Sequence, residues 1–177
     1  VTDSGAASAS SAADPGGLLS GRFEGRLAFQ QAVRAVLAAA ADQGVRRMVW
    51  VGPSLTDWPV DEPAVLDDLT RWARGGPVQL IWLLSDFESL RSRLPRLVRW
   101  RLVWSHVVQC LAPLEVPASD MACFLLADDR WLIRVFDVAR WRGRLTEDAQ
   151  DIAQARQWLD AVLQRSVETF PVTTLGV

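Results

Sequence analysis

Lysine and tyrosine are absent from the 177-residue chain, and histidine occurs once, as His106. All 19 basic side chains are therefore arginines. Schiff-base catalysis by lysine, acid catalysis by tyrosine and phosphoryl transfer between two histidines of one chain are excluded. Cysteine is equally scarce: Cys110 and Cys123 are too few for a disulfide framework and form no Cys-x-x-Cys pair. They are expected as buried free thiols acting as small hydrophobes. No stretch approaches the roughly 20 apolar residues that cross a bilayer. The opening residues lack the basic and apolar regions of a signal peptide. The expectation is a cytoplasmic protein without membrane contact. The glycine-rich phosphate loops, the H-E-x-x-H pair and the G-x-S-x-G elbow are all missing, which argues against the common nucleotide enzymes and hydrolases. No cofactor and no metal are expected. A net charge of −2 creates no global field for nucleic acid or membrane.

What is present reads as one globular domain. Half the residues are apolar and 23% are charged, too apolar for a disordered chain. Residues 1–21 are Ala, Ser, Gly, Asp and Pro with almost no apolar anchors, and are expected as a disordered leader. Residues 25–168 are expected as a single α/β domain, followed by a tail at 169–177.

Within the domain, Leu27, Val33, Val36, Leu37 and Ala40 recur at helical spacing up to Gly44. Met48 to Val51 is a short apolar run closed by Gly52-Pro53, the pattern of a buried strand. Asp61-Glu62-Pro63 suits the first turn of a second helix, which reaches Arg74 and stops at Gly75-Gly76-Pro77. Val78 to Leu84 is apolar almost throughout, so both faces of that strand should be covered. Phe87 to Arg101 is helical in pattern, with Pro95 either kinking the helix or restarting it. Val107 to Leu111 reads as a third strand. Met121–Ala127 and Trp131–Phe136 flank Asp128-Asp129-Arg130 as a hairpin. A last helix is expected from Thr146 to about Glu168. Helices alternating with buried strands, closed by a hairpin and a helix, give an α/β domain with a mixed sheet flanked by helices.

Four constellations could carry chemistry. His106 and Cys110 would share one face of a strand as base and nucleophile, yet four strand residues separate them by about 13 Å. Asp57, Asp61, Glu62, Asp67 and Asp68 could hold a cation or share a proton, although helix starts favour acids anyway. Arg91, Arg93, Arg96, Arg99 and Arg101 lie in one stretch with Trp100 and Trp104 between or beside them, and Arg140, Arg142 and Arg144 form a second patch. Arginine forks bind phosphates and indoles stack on bases, so these eight arginines are the candidate polyanion site. A solvated helix face, or a site for an acidic partner, is the plainer alternative. Nine tryptophans remain: Trp50 and Trp82 belong to strands and the core. Trp58, Trp72, Trp100, Trp141 and Trp158, beside arginine, have the chemistry of a protein interface.

The segment Met121-Ala-Cys123-Phe-Leu-Leu-Ala-Asp128-Asp129-Arg130-Trp-Leu-Ile resembles the terminal hairpin of phospholipase D-like domains, which carries His-x-Lys-x4-Asp. The upstream order of helix, strand, helix, strand, basic helix and short strand is also similar, over about residues 25–165. The resemblance implies a phospholipase D-like fold and, since active members pair two such units, a homodimer. It puts Met121 at the nucleophilic histidine position, Cys123 at the phosphate-binding lysine position and Asp128 at the aspartate. Arg134-Val135-Phe136 stands where the family has a small Gly/Ser-containing segment. Without the histidine no phosphoenzyme can form by the family's route, so an inactive interaction or regulatory module is implied. Motif-less domains of similar composition also occur fused to acetyltransferases in proteobacteria, which implies a bacterial family.

Overall fold

The computed structural model describes residues 20–171. Residues 1–19 of the expected 1–21 leader and residues 172–177 of the expected 169–177 tail lie outside the described residues, whereas Gly21 opens a strand. Gly21–Phe23 is a short strand, β1. Helix α1, Arg26–Asp42, buries Phe29, Val33, Val36, Leu37 and Ala40, a stripe spaced for one helical face. Strand β2 is Arg47–Gly52. Helix α2, Pro63–Arg74, starts with proline at its first turn, where the missing N–H costs nothing. Strand β3 is Gln79–Leu84. Pro95 restarts rather than kinks the next segment, giving α3, Glu88–Arg93, and α4, Pro95–Val103. The remaining elements are β4, Val108–Pro113; β5, Cys123–Ala127; β6, Trp131–Asp137; β7, Arg142–Thr146; α5, Ala149–Leu163; and β8, Ser166–Glu168.

These strands form one mixed sheet of eight, in the order β1-β7-β6-β5-β2-β3-β4-β8. β2, β3 and β4 are parallel, with Trp50 opposite Trp82 and Trp82 opposite Cys110. The β5–β6 hairpin lies antiparallel beside β2. Helices α1 to α4 pack against one face in a single apolar cluster. The second cluster lies on the other face, beneath α5 alone. The expected mixed sheet flanked by helices is what the chain forms.

Three elements differ from the sequence reading. The last helix ends at Leu163, and Ser166–Glu168 crosses to β4 as a strand. The exposed edge of β4 needs hydrogen-bond partners, and β8 supplies them. Arg142–Thr146, where the sequence reading placed a basic patch and no strand, is β7, paired with both β6 and β1. Gly143 permits that pairing, because a Cβ there would meet the carbonyl oxygen of Arg134 and the Phe23 ring. Finally, His106 precedes β4 and is exposed beside Trp104, while Cys110 is buried inside the strand. The two do not form a pair.

Candidate functional site

In a sheet of this kind, ligands bind outside the carboxyl ends of the parallel strands. At those ends lie Gly52, which closes β2, with Pro53-Ser54 after it, and Ser85-Asp86-Phe87 after β3. The Asp86 amide donates to the Pro53 carbonyl at 2.9 Å and joins the two turns. Ser54 Oγ lies 3.3 Å from Ser89 Oγ and 3.4 Å from Thr56 Oγ1. Asp86 accepts from the Glu88 and Ser89 amides at 2.9 and 3.3 Å, opening α3. The Ser89 side chain, with those amides, holds the Asp86 carboxyl below its usual range. It is therefore a carboxylate at neutral pH, engaged as a helix cap. Ser54, Ser85 and Ser89 were not singled out from the sequence, where isolated serines in turns carry no signal.

Cys123 flanks this end of the sheet, with its sulfur 3.8 Å from the position a Gly52 Cβ would occupy. Burial pushes its thiol up to about 12. Burial likewise pushes Cys110 up to about 11, with Arg101 opposing the shift. Both are thiols rather than thiolates, and poor nucleophiles for that reason. Both are free and buried, as their small-hydrophobe reading requires.

The three degenerate motif positions do not converge. Met121, just before β5, packs in the cluster under α5, whereas Cys123 packs in the cluster on the opposite face. Residues two apart on a regular strand share a face, but the regular strand begins only at Cys123. Asp128 lies beyond the other end of β5, roughly 16 Å along the strand. Its carboxylate accepts from the Arg46 and Arg47 amides at 3.0 and 2.8 Å. In return its own amide donates to the Arg47 carbonyl at 2.9 Å. The turn places Asp128 at φ 47°, a region that aspartate tolerates better than most residues. Its visible role is to pin the hairpin to the start of β2.

The candidate polyanion arginines are dispersed. Arg101 is a correction: it is 6% exposed, donates to Cys110 Sγ at 3.1 Å and lies over the Phe170 ring. Position 101 falls four residues after buried Leu97, so helical spacing alone assigns it to the core-facing side. Arg91 covers the same Phe170 ring at 4.8 Å. Arg96 approaches Asp61, Arg140 pairs with Asp137, Arg142 with Glu24, and Arg144 with Asp151. Arg93 and Arg99 are exposed on α3 and α4. The acids after β2 are similarly distributed: Asp57 pairs with Arg26, Glu62 with Arg34 and Asp68 with Arg71. Among the described residues no group of three or more His, Cys, Asp and Glu side chains could hold a metal ion.

The tryptophan surface is corrected as well. Trp58, Trp72 and Trp100 are buried, and Trp72 Nε1 donates to the Val45 carbonyl at 2.6 Å. Trp141 stacks on Phe29 at 4.5 Å, and Trp158 meets Phe124 edge-on at 5.7 Å. These indoles are engaged within the domain rather than displayed beside the arginines.

Comparison with known proteins places this architecture. Neither a protein-family model nor a curated protein matches the sequence. Among solved structures, NucT from Helicobacter pylori superimposes with a TM-score of 0.53 at 11% identity, over 85% of this chain and 98% of that one. Nuc from Salmonella typhimurium, a phospholipase D family member, gives 0.53 at 7% identity, over 86% and 99%. The fold is phospholipase D-like. TrmBL2, an archaeal chromatin protein whose structure shows a novel mode of DNA binding, gives 0.58 at 11% identity. That match covers 90% of this chain, which spans only 56% of the TrmBL2 chain. No helix among the described residues is long and apolar enough to cross a membrane.

Proposed function

We propose that this chain is a phospholipase D-like domain that binds a partner and has no phosphodiesterase chemistry of its own. One observation carries the reading. The positions that correspond to the family's histidine and lysine hold Met121 and Cys123, buried on opposite faces of the sheet. A thioether cannot form and then release a phosphoryl intermediate, and a protonated buried thiol offers a phosphate no positive charge. Asp128, the remaining motif residue, is bound to two backbone amides at the far end of the strand.

The purified chain should hydrolyse an activated phosphodiester, such as bis(4-nitrophenyl) phosphate, no faster than buffer does. Turnover that co-elutes with the folded protein in gel filtration would overturn the reading. A cytoplasmic location and pairing of two copies accompany it; sedimentation velocity would reveal the pairing as a species of twice the monomer mass.

Polyanion binding is a second form of this reading, and one fold neighbour supports it. Among the fold neighbours, TrmBL2 is described as a chromatin protein with a mode of DNA binding. That likeness supports nucleic acid as a partner class, without pointing to a surface.

A further inference from the structure

The pairing register lines up one residue from each strand in a single row across the α5 face. It reads Arg22, Arg144, Arg134, Phe124, Val51, Leu83, Leu111, Glu168. The central four residues are buried beneath or beside α5. The first three are arginines on neighbouring strands, directly opposite one another, within about 10 Å of sheet width. Like charges placed so are destabilising, and apolar or alternating pairs are the usual choice. Arg144 has a carboxylate partner in Asp151, at the start of α5. Arg22 and Arg134 have no ion pair among the described residues. Beyond them Phe136 is 60% exposed, with the guanidiniums of Arg134 and Arg144 5.6 and 6.0 Å from its ring centroid. An open groove of about 900 Å³ runs along this edge, lined by Arg22, Phe136, Arg142 and Arg144 and also by Glu24 and Asp137, whose carboxylates pair with Arg142 and Arg140; Arg134 borders it through Phe136.

We propose that this arginine row and Phe136 form the binding surface for a single-stranded nucleic acid. The proposal rests on the non-catalytic binding reading and gives it a partner and a place. Phosphates satisfy the unpaired guanidiniums, which present planar forks suited to phosphate oxygens. A single strand fits better than a duplex, because the surface is a sheet face rather than a helix or ribbon able to enter a groove. An unstacked base can lie on the exposed Phe136 ring, and stacking of this kind accepts any base. An acidic polypeptide would satisfy the arginines but give the exposed ring no base to stack on.

The test is fluorescence anisotropy of a labelled oligothymidylate titrated with the full chain, at about 50 mM and about 200 mM salt. Binding should weaken steeply with salt. Arg22→Gln with Arg134→Gln should reduce the slope of log K against log salt by about 1.4, the value for two phosphate contacts on a single strand. Phe136→Ala should weaken binding about tenfold or more. Arg93→Gln with Arg99→Gln, on the other face, should leave binding unchanged. Both exposed-row variants should retain the wild-type circular dichroism. No binding at the lower salt overturns the surface, as does binding indifferent to the row variants. So does equal displacement by polyglutamate. Those results leave the non-catalytic reading intact, whereas cleavage of the oligonucleotide overturns that reading separately.

Discussion

The two faces of the sheet are built from the same strands and differ in nearly everything else. On the helix-rich face, the row Leu145, Ile133, Leu125, Trp50, Trp82, Cys110 is buried throughout. Its centre is the Trp50–Trp82 stack at 5.8 Å, joined through Trp58 to Phe29 and Trp141. In the adjacent register, the α5-face row is buried at its centre and becomes arginine toward the β1 edge, where α5 reaches it through the Asp151–Arg144 pair. Strands β6 and β7 therefore carry core on one side and charge on the other. Residue choice on a sheet follows the layer that covers it, not the strand that carries it. Where the layer stops, a polar face is expected, but three arginines in one row with a carboxylate for only one of them need a further cause.

Truncation of the stack should produce the largest effect. Trp82→Ala removes a side chain with no exposure and leaves Trp50 without its neighbour. It should cost about 3–5 kcal/mol in urea unfolding; a loss under about 1 kcal/mol would break the claim that this face holds the core. Next is Gly143→Ala, whose new methyl would meet the Arg134 carbonyl and lie 2.5 Å from Phe23 Cζ. Overpacking there should cost about 1–3 kcal/mol. Adding Phe23→Ala should restore only part of it, because the carbonyl stays in place.

A smaller effect belongs to the margin of the helix-rich face, where Arg34 of α1 holds Glu62 at 2.8 and 2.6 Å. That hydrogen-bonded guanidinium keeps the Glu62 carboxyl below the usual glutamate range. The pair's contribution is full above the unfolded value of about 4.3 and disappears as pH falls through the depressed folded value. Glu62→Gln should lose no more than about 1 kcal/mol at neutral pH, since both side chains are partly exposed. The gap to wild type, measured by thermal unfolding, should close in acid. A gap that widens in acid would contradict this assignment.

The smallest effect has the opposite sign. Arg134→Thr removes a like charge from the row and should raise stability by about 0.5 kcal/mol, while weakening strand binding. A destabilised variant would mean that Arg134 is there for packing.

Much of the fold was legible because its signals are apolar and long enough to count. The Phe29 to Ala40 stripe, the β2 and β3 runs and the β5–β6 hairpin all declare themselves. Strands β1, β7 and β8 do not. Each is three to five residues, β1 and β8 bury no residue, and Arg142-Gly-Arg-Leu-Thr reads as a basic patch until its pairing is known. The motif positions could be named from sequence, but the break before β5 that turns Met121 away from Cys123 could not. The arginine stretch misled because spacing reveals a helix face and not the carboxylates opposite it, such as Asp61 for Arg96. Arg22 and Arg134 could not be placed in one row for the same reason that β1 and β7 were invisible as strands: they lie 112 residues apart and flank Arg144 only through the register.

The claim that joins these observations is that the domain holds a single strand without cutting it. One incubation of labelled oligonucleotide with the full chain, divided between a native and a denaturing gel, tests it directly. The account predicts a shifted band on the native gel and a full-length strand on the denaturing gel. A shortened strand would contradict the loss of chemistry, and an unshifted band at low salt would contradict the arginine row.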